Sequence, residues 1–508
     1  MADIDFLKLH AEGSPNKPAV ILGDRVVDFS TLNRRANKAV HVFGDLGCER
    51  GERVAIMGFN SIAGAEISSG LRRVGVVVVP VNYRLRGSEV AYVLNDSGAR
   101  IVCADDDHIE VIEAARPEVR GERRYVATGS KRPTGWLSYQ ELMEAASDEP
   151  SDSLPTGGLG STMIYTSGTT GNPKGAWRPD GVSVEYVLQV VSIFGLNQSD
   201  VHLMCGPGYH SAPAFFYALN LAVGATNVIQ RKFEADEALD LIERHGVTTT
   251  FMAPTLLQRL VDAQERRPRD VSSLRAVLLG AAPSPHALKV RAEAALGQVI
   301  WEFYGSTETG INTVLRPEDQ LRKPGSCGTG VEGQEIKLVC PDGAEVADGE
   351  PGEFMVRTSS LAEYYNRPDA TGKSLHDGFF SVGDVAYRDN EGYYYICDRQ
   401  VDMIISAGVN IYPAEVEAVL HAHPAVMDVA VIGVPDEHWG ESVKAVVQLR
   451  RGSKASADEL IAFCDERLAG YKKPRTVDFV DELPRDAAGK LLKREVREPY
   501  WAGMTRRV

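Results

Sequence analysis

No Cys-x-x-Cys pair occurs anywhere in the 508 residues. The seven cysteines (Cys48, Cys103, Cys205, Cys327, Cys340, Cys397 and Cys464) are scattered and odd in number, which argues against a disulfide framework and against a zinc site. They read as small buried thiols in a reducing compartment. Long apolar runs are missing too: the densest, residues 74–81, is far too short to span a bilayer as a helix. The first ten residues hold Asp3 and Asp5 and lack the basic-then-apolar order of a signal peptide, so a cytoplasmic protein with no transmembrane segment is expected. Positive charge is in short supply. Lys and Arg number 55 against 70 Asp and Glu, and the net charge of −15 argues against nucleic acid or an anionic membrane as the main partner. It leaves room for a small basic nucleotide site. Internal repeats and low-complexity tracts are absent. So is a Gly-x-Ser-x-Gly elbow, which disfavours a serine hydrolase.

What remains is a soluble globular composition, 44% apolar and 25% charged, in a chain longer than a single core sustains. Two or more domains are expected. Residues 21–31 read as an extended segment entering a helix, with Ser30 or Thr31 as its cap and Leu32, Ala36, Val40 and Phe43 on its apolar face. Apolar runs at 53–57, 75–80 and 100–103 predict buried parallel strands, with helical stretches such as 89–94 between them. The rhythm returns at 201–205, 248–252 and 276–280, with a helix over 236–244. Such alternation implies an α/β fold of layered sheets.

From about residue 325 to 398, short alternating runs broken by Gly, Pro and Asp predict a small antiparallel, barrel-like β unit. After Val401 the order becomes βαββα-like: a helix over 413–421, strands over 425–433 and 442–449, and a helix over 458–468. The expected division is a large N-terminal domain, residues 1–398, and a small α+β C-terminal domain, residues 399–508, joined by a tight hinge at 398–402. His421 and His423 read as a helix end rather than a metal pair.

Residues 165–175 read Tyr-Thr-Ser-Gly-Thr-Thr-Gly-Asn-Pro-Lys-Gly. Glycines that let backbone N–H groups approach an oxyanion, four hydroxyls and a closing lysine are what polyphosphate binding requires. A Walker A loop is disfavoured, because Pro173 takes its glycine position and Gly175 its hydroxyl position.

This segment resembles the phosphate loop of the adenylate-forming superfamily: acyl- and aryl-CoA synthetases, peptide-synthetase adenylation domains and firefly-type luciferases. Further motifs follow in that family's order, and the resemblance runs from about residue 15 to 495. It implies that Thr166, Ser167, Gly168, Thr169, Thr170 and Lys174 hold the ATP phosphates, and that Gly280, Ala281, Ala282 and Pro283 lie along the adenine. In the run from Tyr304 to Gly310, Tyr304 would stack on adenine, Thr307 touch the α-phosphate and Glu308 hold Mg²⁺. A carboxylate beside a triphosphate is repulsive unless a metal lies between. Asp384 would accept from the ribose diol, an acceptor-only group suited to two hydroxyls, and Arg399 would reach ribose and phosphate. Val382 stands where the family commonly has Thr. Val401 stands where it has a polar hinge residue, with Asp402 one place later.

Lys490 matches the family's catalytic lysine, whose ammonium would offset charge as the carboxylate attacks. The run from Ala407 to Pro413, with Gly408 and Tyr412, resembles the loop lining the pantetheine tunnel in thioester formation. Lys472 and Lys473, after Tyr471, are set against the anionic end of coenzyme A. His210 corresponds to the histidine at the mouth of the acyl pocket, in a positioning role.

The activity this implies is an ATP-dependent acid–CoA ligase passing through acyl-AMP, with a mobile C-terminal domain, and with ATP, Mg²⁺, coenzyme A and a small carboxylate as ligands. Ala212, Ala214, Phe215, Gly305 and Ile311 are small or apolar and favour an uncharged acyl tail, a medium- or long-chain fatty acid first. The alternatives are an aryl or steroid side-chain acid, acyl transfer to a separate carrier protein, a luciferase-like oxygenase, and a nucleotide-binding regulator that has lost catalysis. Glu308, Asp384 and Lys490 are all present, against the last. A homo-oligomer is compatible with the sequence, which does not select one.

Overall fold

Val, Ile and Ala crowd the runs that pair in the first part of the chain, as in strands buried on both faces. The computed structural model describes residues 4–151, 159–166, 173–399, 402–406, 409–436, 439–485 and 491–502, with the backbone alone for 398, 399, 409 and 410. Two compact units emerge, each discontinuous in sequence. One comprises Met1–Leu279, Ser306–Gly310 and Thr358–Lys373; the other comprises Gly280–Gly305, Ile311–Arg357 and Ser374–Val508.

The first unit holds a parallel sheet in the order Val77–Val81, Arg53–Met57, Ile101–Ala104, Arg124–Ala127, Trp136–Ser138. Its faces bury Met57, Val79, Leu94 and Val102 on one side and Phe43, Ile67, Leu71 and Val78 on the other. A second set of strands runs Ala276–Leu279, Thr249–Met252, Val201–Met204, Thr226–Ile229 and Pro18–Leu22, all parallel, with Arg25–Asp28 antiparallel at its edge. The six strands expected here lie within two residues of their observed limits, and the helices Gly87–Ser97 and Ala235–His245 contain those expected at 89–94 and 236–244.

One expectation is corrected. Residues 21–31 do not run extended into a helix: Pro18–Leu22 and Arg25–Asp28 form a hairpin, turned at Gly23, whose φ is 58°. The helix Phe29–Asp45 follows at once. Its cap is Asp28, not Ser30 or Thr31, and the Asp28 carboxylate accepts from the Thr31 N–H at 2.6 Å. Asp28 keeps extended φ/ψ at the strand end, which is the conformation a cap needs. Leu32, Ala36, Val40 and Phe43 are buried as expected.

A short antiparallel sheet in this unit joins Met163–Thr166, Lys174–Trp177 and Glu363–Tyr364. It carries part of the candidate site.

In the second unit, Glu335–Val339, Gly352–Arg357, Phe379–Arg388 and Tyr394–Arg399 pair antiparallel around Leu338, Phe354, Val356 and Ala386. That is the β texture read from 325 to 398. A further sheet runs Val409–Ile411, Ile404–Ser406, Gly440–Leu449, Val426–Asp436, with Thr476–Phe479 parallel to Gly440–Leu449. The helices Pro413–His421 and Ala457–Asp465 pack Val416, Leu420 and Leu460 into its core. His421 closes its helix, and the His423 ring stands edge-on to Phe463 at 4.9 Å.

Five cysteines are buried, and burial pushes their thiols up, Cys205 and Cys464 to about 11 and Cys48 to about 12. No helix among the described residues is long and apolar enough to cross a membrane.

Candidate functional site

In the first unit the glycine-rich segment springs from two paired strands. Thr166 ends Met163–Thr166, Lys174 opens Lys174–Trp177, and the two face each other in register. Ser167, Gly168, Thr169 and Thr170 lie outside the described residues. Both stems are fastened to the helix Gly87–Ser97. The Tyr165 hydroxyl donates to Asp96 at 2.9 Å, and the Tyr92 hydroxyl donates to the Pro173 carbonyl at 2.9 Å. Arg367 donates to the other Asp96 oxygen at 3.0 Å. Burial, reinforced by Asp96, pushes the Tyr165 phenol far above its ordinary value, so it stays a donor.

Thr307 and Glu308 sit on a turn whose N–H groups are gathered by one hydroxyl: Ser306 accepts from Glu308 N–H at 3.2 Å and from Thr309 N–H at 3.1 Å. Arg178 holds the outside of that turn. Its guanidinium donates to the carbonyls of Thr307 (2.8 Å), Glu308 (3.2 Å) and Ser360 (2.7 Å). Burial lowers its proton affinity, which the nearby Tyr186 and Glu308 side chains partly restore. The Thr307 hydroxyl lies 3.1 Å from that of Ser211, first residue of the helix Ser211–Ala222. His210 is that helix's N-cap residue, its ring 4.3 Å from the Tyr209 ring.

The Glu308 side chain is buried and accepts from the Tyr364 hydroxyl at 2.8 Å. The same Tyr364 ring lies 4.8 Å from the Lys174 ammonium. Thus Lys174 and Glu308, some 130 positions apart in the chain, meet on one tyrosine. At the end of the turn Gly310 has φ 75°, and a side chain there would collide with the Tyr186 hydroxyl, 2.3 Å from the place of its Cβ. Tyr186 in turn packs against Phe215 at 6.1 Å.

The second unit holds the other nucleotide candidates. A Cβ at Gly280 would stand 3.0 Å from the Phe303 ring, a tight approach that a side chain could make only if the ring gave way by a few tenths of an ångström. Ala281 has φ 73°, a conformation that costs a non-glycine residue about 1–2 kcal/mol. Ala282 and Pro283 complete this turn ahead of the helix His286–Leu296. Tyr304 donates to Asp384 at 2.6 Å and packs edge-on to Phe354 at 5.0 Å. Asp384 is buried, and Arg399 faces it in register on the neighbouring strand. Tyr412 is the N-cap residue of Pro413–His421.

Other expected contributors are differently engaged. Lys472 is paired with Glu415 at 2.7 Å and Lys473 with Asp465 at 2.8 Å, so both lysines set against coenzyme A are spoken for by carboxylates. Asp402 pairs with Arg497 at 3.1 Å. Val401, Ala407, Gly408 and Lys490 lie outside the described residues.

Sequence reasoning missed Tyr364, Arg178 and Ser211. No spacing rule links 364 to 308 or 178 to 307; the pairing of Tyr364 with Ala176, the Ala362 N–H bond to the Glu308 carbonyl and the reach of Arg178 to the Thr307 carbonyl bring them together.

No group of three His, Cys, Asp or Glu side chains poised for a metal occurs among the described residues. One buried carboxylate suits Mg²⁺, which keeps water ligands and shares phosphate oxygens instead of entering an all-protein cage. Glu308 fits that donor set.

Two family models match the chain: AMP-binding enzyme over residues 7–366, and AMP-binding enzyme C-terminal domain over residues 415–490. A fatty acid–acyl-carrier-protein ligase, ScoC, of Streptomyces coeruleorubidus is 34% identical, covering 99% of this chain and 98% of its own. A feruloyl-CoA synthase of an Amycolatopsis species is 37% identical, covering 96% and 97%. The crystal structure of ATP-bound MatB from Rhodopseudomonas palustris superposes with a TM-score of 0.88 at 29% identity, covering 98% of this chain and 99% of that one. The chain belongs to the AMP-binding enzymes of the adenylate-forming superfamily, in its branch of ATP-dependent acyl- and aryl-CoA synthetases.

Proposed function

We propose that the chain joins a monocarboxylic acid to coenzyme A in two steps, releasing pyrophosphate and then AMP. The carboxylate attacks the α-phosphorus of ATP in line, the acyl-AMP forms, and the coenzyme A thiol then attacks its carbonyl carbon. Little covalent work falls to the protein; positioning and charge neutralisation supply the rate. Thr166, Lys174 and the residues between them hold the phosphates. Tyr304 and Asp384 take the adenosine, with Arg399 beside them, and Thr307 meets the α-phosphate. Mg²⁺ held on Glu308 would neutralise phosphate charge as pyrophosphate departs. Lys490 serves the first step. Residues 399–508 then swing about 398–402 to present Gly408 and Tyr412 to the thiol. His210 positions the acid.

The observation that carries this reading is the meeting of Glu308 and Lys174 on Tyr364, because a carboxylate and an ammonium gathered at one point serve a metal-bound polyphosphate. A medium- or long-chain fatty acid is the first expected substrate, since Ala212, Ala214 and Phe215 in the first turns of the helix Ser211–Ala222 are small or apolar. An aryl acid is the second, favoured by the 37% identity to a feruloyl-CoA synthase. A cytoplasmic setting, where ATP and coenzyme A are both at hand, fits either.

The test is pyrophosphate and AMP formation by the purified chain with Mg²⁺·ATP and a panel of fatty, benzoic, cinnamic and steroid side-chain acids, with and without coenzyme A. Turnover needing both acid and coenzyme A, and collapsing in Lys490→Ala, is expected. Pyrophosphate without thioester would redirect the acyl group to a carrier protein. ATP binding with no turnover on any acid would leave a regulator.

A further inference from the structure

The segment of residues 360–367 holds none of the residues that the sequence marks for chemistry, yet it reaches both halves of the phosphate site in the first unit. Its Ala362 N–H donates to the Glu308 carbonyl at 2.7 Å, and its Tyr365 N–H donates to the Gly175 carbonyl at 2.8 Å. Between these backbone bonds stands Tyr364, paired across the strand with Ala176. Its place is therefore set by the two elements it connects.

From that place it does two different things. The hydroxyl donates to Glu308 Oε1 at 2.8 Å, and the ring face lies 4.8 Å from Lys174 Nζ. A glutamate has three rotatable side-chain bonds, so a carboxylate that must meet a metal in one orientation loses rotamer freedom on binding. A hydrogen bond to one oxygen removes that freedom beforehand, and bonds to charged acceptors are about twice as strong as neutral ones. The ring acts on the lysine through its negative face, which attracts the ammonium without neutralising it. Arg367, three residues on, ties the segment to Asp96 and so to the Tyr165 stem of the glycine-rich segment.

We propose that Tyr364 is a positioning residue, its hydroxyl aiming Glu308 at the metal and its ring aiming Lys174 at the phosphates of ATP. The assignment rests on the adenylate-forming reading above. It predicts that the two functions separate by substitution. Tyr364→Phe keeps the ring and removes the donor, whereas Tyr364→Leu removes both.

The experiment uses the full chain, and measures three things: the Mg²⁺ concentration giving half-maximal pyrophosphate release at saturating ATP, Mn²⁺ binding in the presence of ATP by calorimetry, and the KM for ATP at saturating Mg²⁺. Tyr364→Phe is expected to raise the Mg²⁺ requirement and weaken Mn²⁺ binding by about tenfold, the effect of one charged hydrogen bond. The KM for ATP at saturating Mg²⁺ is expected to rise more in Tyr364→Leu than in Tyr364→Phe. A purely structural tyrosine would move all three quantities together with the melting temperature. An unchanged Mg²⁺ requirement in Tyr364→Phe, or an equal rise in ATP KM in both variants, overturns the proposal. Should Tyr364→Leu fail to fold, the Mg²⁺ and Mn²⁺ titrations of Tyr364→Phe still decide. Glu308→Gln is the arm that isolates the underlying reading. If it leaves the metal dependence intact, Glu308 is no metal ligand and both ideas fall; if it abolishes metal binding while Tyr364→Phe does nothing, only the tyrosine's role falls.

Discussion

Gly310 ends the turn that carries Thr307 and Glu308, and two separate penalties should meet there on substitution. Alanine at φ 75° costs about 1–2 kcal/mol in backbone strain. The new methyl would also sit 2.3 Å from the Tyr186 hydroxyl and 3.0 Å from the ring carbon bearing it. Overpacking of this kind costs about 1–3 kcal/mol. Gly310→Ala should therefore lose about 2–5 kcal/mol. Only the second penalty involves Tyr186, so Tyr186→Phe, which deletes the oxygen at 2.3 Å and leaves only the ring carbon at 3.0 Å, should recover most of it while the backbone strain stays. In a four-member cycle, urea unfolding should show Gly310→Ala costing about 1–2 kcal/mol in the Tyr186→Phe background, with the difference from the single variant as the coupling. If the two substitutions add to within about 0.5 kcal/mol, the clash is not what makes glycine necessary. If Gly310→Ala is neutral alone, the left-handed conformation is not held either.

Asp28→Ala should cost about 1 kcal/mol by uncapping Phe29–Asp45, whereas Ser30→Ala, which loses only an exposed bond to Arg34, should stay near zero by the same unfolding measurement. His202 is buried against Thr249, and burial pushes it down from 6.5 to about 3. It stays neutral in the folded chain while the unfolded chain protonates below pH 6.5, so the contribution is intact above that value and is lost as pH falls toward 3. Between pH 7 and 5 the loss should reach about 2 kcal/mol, and His202→Asn should flatten that stretch of the stability profile.

Much of the fold was legible because buried strands announce themselves as short Val, Ile and Ala runs, and because the turn-rich texture after 325 differs from the α/β rhythm before it. The edge hairpin at Gly23 was not. With only four residues in Arg25–Asp28 and Val26 exposed, the strand carries no apolar run to mark it, and Asp28 serves both the strand end and the helix cap. In the candidate site, contiguous motifs could be read because glycines, hydroxyls and carboxylates at fixed spacing state their chemistry locally. Tyr364 and Arg178 state nothing locally. Each gains its partners through strand pairing or a long cross-chain reach to backbone carbonyls, and carbonyls leave no trace in a sequence. The lysines at 472 and 473 illustrate the converse: a basic pair invites an anionic ligand on paper, but Glu415 and Asp465 are brought to it by the fold.

The splint formed by residues 360–367 bears on engineering. Its bonds run to Glu308, Gly175 and Asp96. Tyr186 and Phe215 lean on each other. With the acid at the helix Ser211–Ala222, as proposed above, lesions in the splint should be blind to the acid, weakening use of ATP by the same factor whichever carboxylate is offered. A library scored on a single acid would confuse the two classes. Scored on two acids, it would sort specificity from nucleotide handling without any further structure.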